Sequence, residues 1–96
     1  MARGEMLTVF TYDVSQAKRR RRIAKVLEDA STRVQKSVFE ARMTRGRADA
    51  ISQRIAALLD DGDSLRVYAI GADGLTRSRT FGDTAPFETE EGYWLV

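Results

Sequence analysis

The chain contains no cysteine and no histidine. Without cysteine there is no disulfide framework, no thiolate zinc site and no cysteine nucleophile. Without histidine the commonest general base near neutral pH and the commonest transition-metal ligand are both missing. Chemistry must therefore come from carboxylates, lysine, tyrosine, serine or a hard metal ion held through oxygen. Proline occurs once. No apolar run approaches the roughly 20 residues of a membrane helix. Met1–Met6 is too short and polar for a signal peptide, so the expectation is a cytoplasmic protein with no membrane contact.

What is present is the composition of one soluble domain: 96 residues, 43% hydrophobic and 31% charged. A domain of this size buries a modest core, which favours oligomerisation. The net charge of +2 hides an asymmetry. Residues 1–47 hold 12 of the 16 Lys/Arg but only 5 of the 14 Asp/Glu, and residues 48–96 reverse the balance. Such a split points to one polyanion-facing surface, or to two solvated faces that pair with a partner subunit.

Residues 7–12 are β-branched and aromatic with little alternation, which predicts a strand buried on both faces. Ser15 is placed to cap a helix over 16–30, whose apolar stripe is Ile23, Val26, Leu27 and Ala30. Arginines 19–22 are consecutive and cannot share a face. Arg19 falls on the apolar side, near the sheet, Arg20 and Arg22 flank it, and Arg21 points to solvent. Over residues 33–43 the alternation slips phase near Lys36–Val38, predicting a bulge or tight turn. Thr44 caps a helix over 46–60 with Gly62 as its C′ residue. Residues 65–70 form a strand, Gly71–Gly74 a turn, and residues 75–81 its hairpin partner. The order predicts a βαββαβ ferredoxin-like sandwich of the α+β class over residues 1–82. An acidic linker and a terminal strand follow over 83–96.

Few residues carry chemistry. Asp13 ends the first strand beside the arginine-rich helix, where a carboxylate can hold Mg²⁺ or Mn²⁺ through oxygen, or simply cap a turn. One carboxylate is a poor metal site unless a twofold brings in a second Asp13. The Arg19–Arg22 run reads either as phosphate contacts or as a solvated helix face. Asp60, Asp61 and Asp63 around Gly62 read as a solubilising turn. Tyr93, Trp94, Leu95 and Val96 are too apolar for a free terminus, so a strand exchanged with a second protomer is expected, with packing on its own subunit as the alternative.

Four segments together resemble a known family. They are Tyr12-Asp13-Val14, the helix carrying Arg20, Arg22, Ile23, Ala24 and Leu27, the run Arg33-Val34-Gln35-Lys36-Ser37-Val38-Phe39-Glu40, and Asp63-Ser64-Leu65-Arg66-Val67-Tyr68. Over residues 6–70 the chain is similar to the CRISPR-associated Cas-two family, the small partner of the Cas-one spacer integrase. The resemblance implies a ferredoxin-like homodimer with a divalent metal at Asp13, paired across the twofold. It implies metal-dependent cleavage of RNA or DNA in some members and a DNA-binding scaffold for the integrase in others. The family's functional positions fall on Tyr12, Asp13, Arg20, Arg22, Arg33, Ser37 and Phe39. Ser31-Thr32 stands where many members have glycine, and Lys36 where many have an aromatic; Lys36 adds a cation for polyanion binding. With no general acid evident, weak catalysis or none is expected. A non-catalytic dimeric scaffold or regulator is the alternative.

Overall fold

The computed structural model describes residues 4–71 and 74–85. Strand β1 (Met6–Asp13) is central, antiparallel to β3 (Val38–Met43) on one side and to β4 (Ser64–Ile70) on the other. The short strand β2 (Thr32–Gln35) edges β3, and β5 (Arg79–Gly82) edges β4, giving the order β2-β3-β1-β4-β5. Helices α1 (Ala17–Glu28) and α2 (Arg45–Ala56) connect β1 to β2 and β3 to β4. This is the expected βαββαβ ferredoxin-like sandwich, extended by one strand.

The sheet is two-faced. Thr8, Phe10 and Tyr12 of β1, Phe39 and Met43 of β3, and Leu65, Val67 and Ala69 of β4 are buried on one side. There they meet Ile23, Ala24 and Leu27 of α1 and Ala48, Ile51 and Ile55 of α2. The period-2 register sends Leu7, Val9, Thr11 and Asp13 to the opposite side, together with Arg66, Tyr68 and Ile70. Neither α1 nor α2 packs on that side, and Ile70 is 41% exposed. The prediction of a β1 strand buried on both faces is thus corrected for the single chain: two helices cover one face only.

Local chemistry moves several boundaries. Gln16, not Ser15, occupies the N-cap of α1 and gives no side-chain cap. Thr44 Oγ1 accepts the Arg47 N–H at 3.2 Å, as expected of the α2 cap. Helix α2 stops at Ala56, and the chain tightens through Leu58 N–H to Ile55 O (2.8 Å). Gly62 (φ 84°) therefore belongs to the turn before β4 and is not the C′ residue of α2. The phase slip over 33–43 is a bulge between Arg33 and Gln35 followed by a turn at Lys36–Ser37.

The predicted strand over 75–81 is half replaced by a helical turn, α3 (Gly74–Arg77). Ser78 explains this: its hydroxyl donates to Gly74 O (2.7 Å) and accepts the Ala69 N–H (2.9 Å), taking the place of a ladder bond. After β5, Arg66 Nη1 donates to Thr84 Oγ1 (3.0 Å) and Ala85 O (2.6 Å). The expected exchange of Tyr93, Trp94, Leu95 and Val96 lies outside the described residues, as does most of the 83–96 segment.

Candidate nucleic-acid and metal site

Asp13 is the last residue of β1 and is exposed. The chain then turns sharply over Val14, which is 4% exposed and anchors the turn in the core. Arg20 reaches back from the first turn of α1: its Nη1 donates to Val14 O (2.9 Å) and Ser15 O (2.8 Å). A helix start that lacks a side-chain cap is thereby steadied by a cation on the preceding carbonyls, and the loop bearing Asp13 is held against α1.

The β2–β3 turn closes on the same point from the other side. The Tyr12 N–H donates to Ser37 O (3.2 Å), and its hydroxyl to Lys36 O (3.4 Å). Arg33 Nη1 donates to the same Lys36 carbonyl at 3.2 Å. The Arg33 guanidinium also lies 4.9 Å over the Phe39 ring, which stacks on Tyr12 with centroids 6.3 Å apart. Phe39 is wholly buried, so its part is to seat Arg33 and Tyr12. Burial pushes the Tyr12 phenol above its ordinary pKa, with Arg33 opposing. The outer end of Arg33 meets Glu28 at 3.4 Å.

The result is a cleft of about 570 Å³ whose polar lining includes Asp13, Arg20, Arg21, Arg33, Lys36 and Ser37. Five of the residues singled out in the sequence (Asp13, Arg20, Arg33, Lys36 and Ser37) meet there, with Tyr12 in the wall. Arg22 does not; it lines an adjoining groove with Lys18, Arg21 and Lys25. Arg21 is exposed as expected, yet it borders both hollows. The signal was the small-residue stripe Ala17, Ala24: Arg21 stands four residues from one and three from the other, so all share a face. Among the described residues, Lys18, Arg21, Arg22, Lys25 and Lys36 have no ionic partner.

Among the described residues, Asp13 is the one carboxylate lining the cleft. The described residues hold no cluster of three metal-ligating side chains. The Val14 and Ser15 carbonyls already receive Arg20. This donor set fits a hard divalent ion that takes its other ligands from water, phosphate oxygens or a second carboxylate; it does not enclose one.

The acidic turn is not the solvated feature the sequence suggests. Asp63 is 1% exposed, and Arg19 Nε donates to its Oδ2 at 2.8 Å. The Asp60 N–H donates to the same oxygen at 2.9 Å. These hydrogen bonds, led by that from Arg19, hold the Asp63 carboxyl below its ordinary pKa. Arg19 sits by the sheet, as its position on the apolar side of α1 predicts. Asp60 and Asp61 are exposed.

The family model for CRISPR associated protein Cas2 matches residues 6–77, a span that holds every residue of this cleft. The chain belongs to the Cas2 family. It is 39% identical over 67 residues to the CRISPR-associated endoribonuclease Cas2 of Mycobacterium tuberculosis, covering 70% of this chain and 59% of that relative. This chain thus spans less than two thirds of that relative's length. The crystal structure of Streptococcus pyogenes Cas2 superposes with a TM-score of 0.63 at 36% identity, over 80% of this chain and 100% of that one. A chain of a partial Cas6-RT-Cas1–Cas2 complex gives a TM-score of 0.58 at 25% identity, over 77% of this chain and 88% of that one. No helix among the described residues is long and apolar enough to cross a membrane.

Proposed function

We propose that this Cas2 chain works in the cytoplasm as a homodimer in CRISPR adaptation, binding RNA or DNA by its phosphates and hydrolysing phosphodiesters weakly with Mg²⁺ or Mn²⁺ at Asp13. The observation that carries the reading is the cleft itself, which sets one exposed carboxylate among Arg20, Arg21, Arg33 and Lys36. Phosphate needs cations and hydrogen-bond donors without base readout, and these side chains supply both. A divalent ion there would supply Lewis-acid activation of phosphate and an acidified water.

The homodimer is supported by the face of the sheet that α1 and α2 leave uncovered among the described residues. Leu7, Val9, Tyr68 and Ile70 share that face with Asp13, and a second copy packed on it would bring two Asp13 carboxylates toward one axis. Two such carboxylates repel unless a cation or a proton lies between them. Leaving-group protonation is the weak step. The Tyr12 hydroxyl is engaged on Lys36 O and burial keeps it protonated, and the chain has no histidine. Slow turnover is expected.

The second reading is a non-catalytic scaffold for a Cas1 integrase. It is favoured by the single carboxylate and by cations without an ionic partner among the described residues, Arg21 and Lys36 in the cleft and Lys18, Arg22 and Lys25 in the adjoining groove. The likeness to a chain from a complex containing Cas1 supports that partner. The readings share the bound phosphates and part company at Asp13. The deciding experiment compares wild type with Asp13→Asn on labelled RNA and duplex DNA, with Mg²⁺ or with EDTA. The nuclease reading expects cleavage only in wild type with metal, while both proteins bind nucleic acid. Cleavage undiminished by Asp13→Asn or by EDTA would overturn it; binding without any cleavage would select the scaffold.

A further inference from the structure

Asp63 lies some fifty residues from Asp13 in sequence, yet the last rung of the β1–β4 ladder brings them near, since Asp13 pairs with Ser64, the residue after Asp63. The Asp63 carboxylate is buried beneath the turn that carries Asp13. It accepts Arg19 Nε at 2.8 Å and the Asp60 N–H at 2.9 Å, and the Ser15 backbone N–H faces it as well. Its backbone is fixed from the far side: the Asp63 carbonyl accepts the Asp83 N–H at 2.9 Å. Gly82 packs so closely there that any Cβ would collide with that oxygen. Asp63 is therefore a rigid acceptor tied to β4 and β5, and it holds Arg19 in the first turn of α1, just past the Asp13 turn.

Arg20 completes the arrangement from above. Asp63 holds the first turn of α1 through Arg19, and Arg20 takes the Val14 and Ser15 carbonyls. The β1–α1 turn is thus held between one buried anion, acting through Arg19, and one cation at the cleft. We infer that Asp63, with Arg19, is a positioning residue for the cleft: it fixes the β1–α1 turn so that Asp13 and Arg20 present a preset geometry to phosphate. Asp63 touches neither ligand nor solvent. It acts through the turn, and the inference rests on the phosphate-binding reading of the cleft.

The test uses Asp63→Asn, which keeps an acceptor oxygen for the backbone N–H groups but removes the charge that holds Arg19. Ile55→Val is the control, a fully buried site in α2 away from the cleft. Amide exchange by NMR reads the turn directly, and Asp63→Asn is expected to speed exchange at Arg20, whose N–H donates to Gln16 O at 3.0 Å at the start of α1, while the sheet amides of β1 stay protected. Affinity for a labelled duplex reads the consequence. Residues acting through one network couple measurably, so Asp63→Asn is expected to weaken binding about threefold to tenfold in wild type and not at all in an Arg20→Ala background. Ile55→Val should leave affinity unchanged in both.

Equal losses in the two backgrounds would overturn the inference, since Asp63 would then act by general stability. Unchanged Arg20 exchange would overturn it as well. Failure of the wild-type protein to bind any nucleic acid would sink the reading of the cleft, and the exchange measurement would then decide the role of Asp63 in the turn by itself.

Discussion

Arg20, Arg21 and Lys36 border one cleft, yet their substitution should give different results, because only Arg20 is already employed within the protein. Lys36 and Arg21 have no ionic partner among the described residues, so each is free to neutralise a phosphate. Each neutralised phosphate contributes a slope of about 0.9 to the fall of log affinity with log salt on B-DNA, or about 0.7 on a single strand. In a homodimer each substitution removes two cations. Lys36→Ala or Arg21→Ala should therefore flatten the slope by about 1.8 on duplex and about 1.4 on single strand if both sites are engaged. Stability should hardly change, since surface substitutions of this kind stay within about 0.5 kcal/mol.

Arg20→Ala should flatten the slope and also destabilise. It strips the donor from the Val14 and Ser15 carbonyls. Ser15 is exposed and water can replace the donor there, whereas Val14 is 4% exposed and replacement is harder. One acceptor left unsatisfied costs about 1–3 kcal/mol. Fluorescence anisotropy between about 50 and about 200 mM KCl gives the slopes, and urea denaturation gives the stabilities. The reasoning is refuted if Lys36→Ala and Arg21→Ala leave the slope at its wild-type value. It is refuted equally if Arg20→Ala proves as stable as wild type.

Two further outcomes follow from packing. Phe39→Ala should cost about 3–5 kcal/mol in urea denaturation, the range for a large buried aromatic, and should weaken nucleic-acid binding too, because Arg33 and Tyr12 lose the ring that seats them. Gly82→Ala should lower the thermal midpoint by several degrees (about 1 kcal/mol or more for a strained left-handed position), since its φ is 86° and its Cβ would meet the Asp63 carbonyl; a wild-type midpoint would mean that β5 detaches without cost.

The sandwich was legible because its signals are periodic. The stripe Ile23, Leu27 marks α1, Ala48, Ile51 and Ile55 mark α2, and the broken alternation around Lys36 marks a turn that the structure realises as a bulge plus two residues. Asp13 was legible as a carboxylate at the end of a strand. Other features depend on contacts that periodicity does not encode. The local sequence at 74–77 has turn and strand residues, yet a helical turn forms because Ser78 can bond Ala69 and Gly74 at once. The role of Asp63 was missed because a run of three aspartates around a glycine reads as solvated. Only the pairing of β1 with β4 brings it under the Asp13 turn, and only the apolar-side placement of Arg19 hints that a buried counter-ion is needed. The outer face of β1 was read as buried because Leu7, Val9 and Thr11 are as apolar or β-branched as a helix-covered strand, and composition does not say which face the helices take.

Asp63 and Tyr12 make stability respond to pH in opposite directions. Hydrogen bonds, first from Arg19 and then from Asp60, lower the Asp63 pKa, so the folded protein holds that proton less tightly than the unfolded chain. Its contribution is fully present above the ordinary aspartate value of about 3.9 and is lost as pH falls through the lower folded value. Burial raises the Tyr12 pKa, so the folded protein resists its ionisation. That contribution is fully present below the ordinary tyrosine value of about 10 and is lost as pH rises through the higher folded value. Asp63→Asn removes the titrating group from the acid limb, and Tyr12→Phe removes it from the alkaline limb. Urea midpoints measured across the acid range should therefore fall less steeply in Asp63→Asn than in wild type, from a lower plateau at neutral pH. The alkaline limb should be unchanged in Asp63→Asn and shallower in Tyr12→Phe. The exposed Asp60 carboxylate lies 3.7 Å from Arg19, so Asp60→Asn is the matched control. An acid limb as steep in Asp63→Asn as in wild type would show that the Arg19 contact does not hold the buried carboxylate ionised, and the link from β4 to the Asp13 turn would lose its electrostatic basis.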